Sequence, residues 1–321
     1  MLATPAAKIT GAYLTDTGSA SVQDCVLMIH RRRYRVGGLL LLMFVVAIPT
    51  LQFIIGLGEL EIDDLRCQVR LAPPKTFPPV ALASFPGSGN TWTRHLIELL
   101  TGYFTGSIYN DAPSYFKGFI GEMENSTAGT TVVEKTHGYG VNTVHMYQKV
   151  ILLVRNPYDA AVSAYNRKLM LDATRSAPEK AFSEKGWRRA SRRLVLKWRT
   201  LNLSWLSHAK QLLVVYYEDM LVDTSAQLRR IVDFLGVDVA PNGLRCVAEF
   251  REGRFRRKKS KNLREVAFAS LADSDVLDVA REAMGGVAFA MREHGHRAVP
   301  ALWAVIREET EHAVYGNETT V

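Results

Sequence analysis

From Pro79 onward, short apolar runs of strand length alternate with amphipathic, helix-like segments. The apolar runs are VALASF from Val80, TVVEK from Thr131, KVILLVR from Lys149 and LLVVYYE from Leu212. Continuously apolar strands are typical of a sheet that is covered on both faces, and alternation with helices favours parallel strands. The pattern therefore predicts an α/β domain of three layers, with a parallel sheet between two layers of helices.

Ahead of this domain, residues 36–57 form an apolar run without a charged side chain. As a helix it would measure about 33 Å at roughly 1.5 Å per residue, enough to cross a hydrocarbon core of about 30 Å. The basic stretch RRRYR precedes the run and acidic residues follow it, which places the amino terminus in the cytosol. A buried core helix is the alternative. We expect a cytoplasmic tail at 1–35, a single transmembrane signal-anchor helix at 36–57, a short stem at 58–78 and a lumenal domain at 79–321.

A net charge of +8 attracts anionic partners without choosing among them. Nucleic acid is not expected as a partner, because a lumenal domain has no access to it.

Cys67 and Cys246 would share an oxidising lumen and are candidates for a disulfide, although their spacing establishes no geometry. Asn125, Asn202 and Asn317 stand in N-x-S/T sequons and are candidate glycosylation sites. No cysteine and histidine cluster has metal-ligand spacing, so no metal is expected.

The first apolar run ends in the loop PGSGNTW, in which Gly87 and Gly89 flank Ser88 and a helix begins near Asn90 or Thr91. Glycines let the backbone curl around an anion, and the amides of a helix start attract it. The lysine and following hydroxyl that grip terminal phosphates and magnesium in nucleoside triphosphatases are missing. The loop therefore predicts a phosphate site without magnesium and argues against a P-loop kinase.

Two further strand ends carry polar residues of interest. Lys135 and His137 follow the second run two residues apart, so that both side chains point to one side of an extended chain. A neutral imidazole can take a proton from a hydroxyl while an ammonium stabilises developing charge. Arg155 ends the third run and Ser163 lies on the helix that follows, where both can contact one phosphate. Ligands of parallel sheets bind at the carboxyl ends of strands, so one shared site is expected.

Together these segments resemble the motifs of sulfotransferases. PGSGNTW resembles the 5′-phosphosulfate loop, KTHG the lysine-threonine-histidine strand end of the cytosolic branch, and RNPYDAAVSAYN the 3′-phosphate motif. YYEDM with RRIVDFLG, and FREGRFRRKKS, are similar to further segments of the family. The phrase SFPGSGNTWTRHLIELLTG is most similar to WSC domain-containing sulfotransferases, which are Golgi membrane proteins that act on sialic acid. The resemblance covers Pro79 to Lys261.

The resemblance implies that 3′-phosphoadenosine 5′-phosphosulfate (PAPS) is the sulfuryl donor and that a glycan hydroxyl, with sialic acid preferred, is the acceptor. It implies that His137 is the general base and Lys135 the charge stabiliser. Relatives that modify glycosaminoglycans use a carboxylate base, which leaves Glu134 as an alternative. It implies a type II Golgi membrane protein. The donor-binding residues that it implies are Gly87, Ser88, Gly89, Asn90, Thr91, Trp92 against the adenine, Arg155, Ser163, Arg251, Gly253, Arg256 and Arg257.

Two residues depart from the family pattern. Gly87 stands where most sulfotransferases have a loop lysine, and Asn90 stands where many have threonine. Lys135 or Arg94 is a candidate to supply the missing positive charge. A glycan-binding pseudoenzyme that has lost catalysis therefore remains an alternative to the enzyme. Family members of the WSC type carry cysteine-rich WSC modules between anchor and catalytic domain, and the stem at 58–78 contains none. If those modules help to select the glycan, the acceptor is not inherited from the resemblance.

Overall fold

The computed structural model describes residues 67–170, 175–253, 263–271, 274–300 and 303. The chain divides after Asp64 into two units, and all of the described residues belong to the second. The predicted transmembrane helix at 36–57, together with Asn317, Arg256 and Arg257, lies outside the described residues. Within the described ranges, no helix is both long enough and apolar enough to cross a bilayer.

A parallel sheet of five strands, in the spatial order β2-β3-β1-β4-β5, forms the centre of the described domain. The strands are β1 (Val80–Ser84), β2 (Gly106–Ser107), β3 (Glu134–Thr136), β4 (Lys149–Val154) and β5 (Gln211–Tyr216). The α-helices are α1 (Asn90–Thr101), α2 (Ala112–Phe116), α3 (Val141–Val144), α4 (Pro157–Met170), α5 (Lys185–His208), α6 (Tyr217–Val222), α7 (Thr224–Leu235), α8 (Gly243–Phe250), α9 (Leu263–Ala269) and α10 (Val276–Glu293).

Alternation along the strands divides the apolar residues of the sheet between two hydrophobic cores. In β4, Val150, Leu152 and Val154 face the first core, whereas Ile151 and Leu153 face the second. Helices α4, α5 and α10 cover the first core, and helices α1, α7 and α8 cover the second. The predicted α/β domain with a parallel sheet is confirmed, and its helices lie on both faces.

Residues 67–78, which the prolines of the sequence assigned to a stem, pack on the domain instead. The backbone N–H of Ala72 donates to the carbonyl oxygen of Thr130 at 2.9 Å. Cys67 forms a disulfide with Cys246 of α8, with the two Cα atoms 5.7 Å apart. Between the prolines, the backbone N–H groups of Lys75 and Phe77 donate to the carbonyl oxygens of Ala128 and Gly129. Residues 67–78 of the predicted stem therefore pack against the domain.

One predicted glycosylation site is incompatible with this fold. Asn202 lies on the buried face of α5, its side chain has no solvent exposure, and its amide donates to the carbonyl oxygen of Trp198 at 2.8 Å. A glycan on this nitrogen would displace the packed interior, so the prediction for Asn202 is wrong. Asn125 is exposed and stays a prediction.

Candidate active site

The loop between β1 and α1 curls at two glycines with positive φ, Gly87 at +87° and Gly89 at +93°. A Cβ atom on Gly87 would lie 2.7 Å from the carbonyl oxygen of Ala160 in α4. A Cβ atom on Gly89 would lie 2.5 Å from the ring of Tyr217 in α6. The loop is thus enclosed by two helices at these points, and only glycine fits at either position.

Buried polar atoms without a partner collect beside this loop. The hydroxyl oxygen of Ser88 and the Nε of Arg155 are buried and have no hydrogen-bond partner among the described residues. The Nη1 of Arg155 donates to the carbonyl oxygen of Gly87 at 2.8 Å. Ser163 borders the same glycine, because its Cβ lies 3.0 Å from the position of a Cβ on Gly87. Unsatisfied buried donors are costly, and the oxygens of a bound phosphate would satisfy these.

The segment 251–253 packs on α1 beside Trp92 and His95. The indole N–H of Trp92 donates to the carbonyl oxygen of Arg251 at 2.8 Å, and the Arg251 guanidinium lies 5.8 Å from the indole centroid. The Nε of Arg251 is another buried donor without a partner in the described chain. Gly253 has a φ of +58°, and a Cβ there would lie 2.8 Å from the ring of His95.

Tyr217, the first residue of α6, joins these two groups of residues. The Arg155 guanidinium lies 4.4 Å from the centroid of the Tyr217 ring, and the Trp92 ring lies 5.9 Å from it on an edge-to-face contact. The predicted donor-binding residues of the three segments therefore lie around one tyrosine at the carboxyl ends of β1 and β4. The phrase YYEDM marked Tyr217 as part of a family segment, but its place beneath the loop was not predicted.

His137 lines a second pocket at the same edge of the sheet, and one of its ring nitrogens is unprotonated. Its Nδ1 lies 2.7 Å from the carbonyl oxygen of Ser84, the last residue of β1. A carbonyl only accepts, so Nδ1 carries the hydrogen and Nε2 keeps its lone pair. Nε2 is buried and has no partner among the described residues. Burial lowers the pKa of His137 to about 4, the Ser84 bond opposes that change, and the nearby cations add to it. The imidazole is therefore neutral at neutral pH.

The pocket measures about 240 Å³ and is lined by Tyr109, Asp111, Lys135, His137 and Arg167. The Tyr109 ring stacks on the imidazole with centroids 5.6 Å apart, and its hydroxyl accepts from the backbone N–H of His137 at 2.7 Å. The Lys135 ammonium lies 5.5 Å from the Tyr109 centroid. Burial lowers the pKa of Lys135 to about 8, so the group is still mostly protonated at neutral pH. Tyr109, Asp111 and Arg167 were not predicted, because no local motif contains them.

Glu134, the alternative base, points to the other face of β3. Its Oε2 accepts from the hydroxyl of Tyr147 at 3.2 Å. Burial raises the pKa of this carboxyl group, and the Tyr147 bond opposes the change. Neighbouring residues of a strand face opposite sides, so the position that brings Lys135 into the pocket turns Glu134 away from it. The geometry favours His137 as the base.

The two departures from the family pattern have different structural consequences. The amide of Asn90 donates to the carbonyl oxygen of Leu82 at 3.0 Å and to the hydroxyl of Ser84 at 3.1 Å. Its amide nitrogen therefore ties the loop to β1, while its Oδ1 is buried without a partner among the described residues. Arg94 is 1% exposed and its Nη1 pairs with Glu122 at 2.5 Å, so it does not replace the loop lysine. Lys135 is the remaining candidate of the two.

Comparison with known proteins identifies the family of the chain. A model of the sulfotransferase domain family matches residues 77–267. A WSCD family member of Drosophila pseudoobscura is 37% identical over 200 residues, 61% of this chain and 61% of that protein. One of Drosophila melanogaster is 38% identical over 200 residues, with the same coverage of 61% of each chain. The crystal structure of mouse sulfotransferase SULT7A1 complexed with PAP shares 23% identity, covering 72% of this chain and 88% of that chain with a TM-score of 0.40.

The chain spans 61% of the length of the two Drosophila relatives. The sulfotransferase domain accounts for more than half of the 321 residues. The loop, the two basic strand ends and His137 all lie inside the matched range. The chain belongs to the sulfotransferase family and is similar to the WSCD members of that family.

Proposed function

We propose that this sulfotransferase uses PAPS as donor and transfers its sulfuryl group to a hydroxyl of a glycan, with a sialylated glycan as the acceptor. The observation that carries the proposal is that His137, whose Nε2 is buried and unpartnered among the described residues, lines the same pocket as Lys135. When bound, the donor supplies the sulfuryl group, whose sulfur bonds to the acceptor oxygen as its bond to the 5′-phosphate oxygen breaks.

The residues around Tyr217 fit a donor with two separate anionic ends. Ser88 and the amides at the start of α1 would hold the 5′-phosphosulfate. Arg155 with Ser163, and Arg251 on the opposite side, would hold the 3′-phosphate, for which guanidinium groups offer paired donors. Trp92 would pack against the adenine between them. The unsatisfied Ser88 hydroxyl and the two unsatisfied Nε atoms support this assignment.

In this proposal His137 accepts the proton of the acceptor, and Lys135 stabilises the charge on the leaving group. Nε2 of His137 takes the proton of the acceptor hydroxyl, and the bond from Nδ1 to Ser84 keeps the ring in the orientation that allows it. A base with a pKa of about 4 accepts that proton only once the acceptor oxygen has begun to bond and has become more acidic. The Lys135 ammonium stabilises the negative charge that develops on the departing oxygen, and its burial strengthens that interaction.

The membrane anchor, the lumenal orientation and the Golgi location belong to the same proposal. The disulfide between Cys67 and Cys246 supports it, because such bonds persist in oxidising compartments. Protease protection in sealed microsomes, with a glycosidase-sensitive mass shift that is lost when Asn125 and Asn317 are both replaced by Gln, tests the orientation. A protease-accessible domain would contradict it.

Transfer itself is tested with the full chain, ³⁵S-labelled PAPS and matched sialylated and unsialylated glycans. His137→Ala should lower the transfer rate about 100- to 10,000-fold, because it removes the general base, while affinity for the product nucleotide 3′-phosphoadenosine 5′-phosphate (PAP) stays at the wild-type value. His145→Ala is the matched control, since His145 is exposed outside the pocket. Label in no acceptor, with PAP binding intact, would refute the enzyme and favour the glycan-binding pseudoenzyme to which Gly87 first pointed.

A further inference from the structure

Arg167 is a cation of the His137 pocket to which sulfuryl transfer assigns no task. It lies in the last turn of α4 and is partly buried. It lines the pocket together with Tyr109 and Asp111. Among the described residues, no carboxylate forms an ion pair with Arg167. Its positive charge therefore faces a space that an acceptor would enter.

Two positive groups in one small pocket favour an anion inside it. Burial is the main reason that the pKa of Lys135 is low, and the charge of Arg167 contributes to lowering it. The carboxylates of Glu122 and Asp111 oppose the lowering, yet the pKa of Lys135 stays at about 8, so a further negative charge in the pocket would stabilise the ammonium. If Lys135 stabilises the departing oxygen, Arg167 is left to bind a charge on the other reactant.

Favourable interaction with the carboxyl end of α4 is the simpler explanation for a basic residue at this place. Lys168 stands in the same last turn and is exposed to solvent, where it can serve that purpose. Lys168 does not line the pocket. The two neighbours therefore separate a role in the helix from a role in the pocket.

The carboxylate of Asp111 favours a singly charged anion in the pocket. This carboxylate shares the pocket and would repel a doubly charged phosphate more strongly than a singly charged group. The planar guanidinium fork matches the two oxygens of a carboxylate. Asp111 also accepts hydrogen bonds from neutral hydroxyl or amide groups, and the half-exposed Tyr109 ring offers an apolar surface to a sugar face. These features together fit an acidic monosaccharide.

We propose that Arg167 binds the carboxylate of an acidic sugar and thereby presents a hydroxyl of that acceptor to His137. This inference rests on the proposed function and names the residue that determines acceptor specificity. Arg167 acts on the acceptor alone, so donor affinity does not depend on it.

The test uses the full chain, labelled PAPS and three probes: sialyllactose, sialyllactose with its carboxylate converted to the methylamide, and lactose. Wild type should transfer to sialyllactose with a kcat/KM about ten- to a hundredfold above that for the methylamide, as expected for a charge-assisted pair. Arg167→Gln should remove that preference by lowering the value for sialyllactose alone. Lys168→Gln should behave as wild type, and both variants should bind PAP as wild type does.

The inference is overturned if wild type does not distinguish sialyllactose from its methylamide, or if Arg167→Gln keeps the preference. Absence of transfer to every probe would instead count against the proposed function. In that case the affinity of sialyllactose for the PAP complex still decides the role of Arg167. A loss of about tenfold or more in Arg167→Gln, with Lys168→Gln unchanged, supports the inference, and equal affinities refute it.

Discussion

Restoring the loop lysine that most sulfotransferases carry should damage this protein rather than improve it. Gly87 has a φ of +87°, a conformation that costs a residue with a side chain about 1–2 kcal/mol. A Cβ there would lie 2.7 Å from the carbonyl oxygen of Ala160 and 2.9 Å from the backbone nitrogen of Ala164. Neither atom belongs to a side chain that can rotate away, so the loop must separate from α4.

The expected loss can be divided into strain and overlap. Overlap in a packed site costs about 1–3 kcal/mol, so Gly87→Ala should lower the free energy of unfolding by about 2–5 kcal/mol in total. Gly118→Ala is the matched control, because Gly118 has a φ of +107° and no atom within 4 Å of the Cβ position. Strain alone should lower its free energy of unfolding by about 1–2 kcal/mol.

Urea unfolding measures both stabilities, and calorimetric titration with PAP measures the state of the loop. Displacement of the loop would disturb the bond from Arg155 to the Gly87 carbonyl, so PAP affinity should fall about tenfold or more in Gly87→Ala and not in Gly118→Ala. Gly87→Lys should be at least as damaging as Gly87→Ala. A Gly87→Lys variant that is as stable as wild type and transfers sulfate faster would show that the loop has room for the lysine and that our reasoning is wrong.

Three further outcomes are expected. The kcat/KM for the acceptor should fall below about pH 4, where His137 becomes protonated and no longer accepts a proton, and above about pH 8, where Lys135 loses its charge; Lys135→Arg should remove the upper limb of the profile. Cys67→Ser should lower the free energy of unfolding in urea by about 2–5 kcal/mol, and an unchanged midpoint would contradict a structural disulfide. Arg94→Met should cost about 3–5 kcal/mol because it leaves the Glu122 carboxylate buried without its cation, and a combined replacement of Glu122 by Gln should restore part of the loss.

The parts of the fold that could be predicted are those that a short stretch of sequence determines by itself. The apolar runs that became β1, β4 and β5 are long enough to stand out from their surroundings. Strand β2 could not be predicted, because Gly106–Ser107 has only two residues and is a strand only through its pairing with β3. The run TVVEK predicted a strand, yet the strand that forms is Glu134–Thr136, since pairing with β1 begins only at Glu134.

The two halves of the site differ in the same way. The proposed donor side rests on two local motifs, the glycine loop with its helix start and the basic end of β4 with Ser163, and the rule that ligands bind at the carboxyl ends of parallel strands places both in one site. The acceptor side combines Tyr109 and Asp111 after β2 with Arg167 from the end of α4, segments more than 50 residues apart that meet only in the folded sheet. No spacing rule relates them.

Short motifs also carry no information about burial. The sequon at Asn202 has the right letters, but the period of α5 turns that side chain into the interior. Arg94 looked like a spare cation near the loop, and the helical period of α1 turns it toward Glu122 instead. In both cases the neighbouring residues on the helix, rather than the motif, decide what the side chain can reach.

Ser84 contacts both His137 and the loop after β1, since its carbonyl oxygen accepts from His137 while its hydroxyl accepts from Asn90. In the proposed reaction, the spacing between the transferred sulfuryl group and the base is thereby set by the sheet and does not depend on which acceptor is bound. The residues proposed to contact the acceptor, Tyr109, Asp111 and Arg167, lie on other segments of the chain. They can be replaced without changing this spacing. A domain of this design is free to acquire new acceptors through changes at its rim, while the reaction itself stays the same.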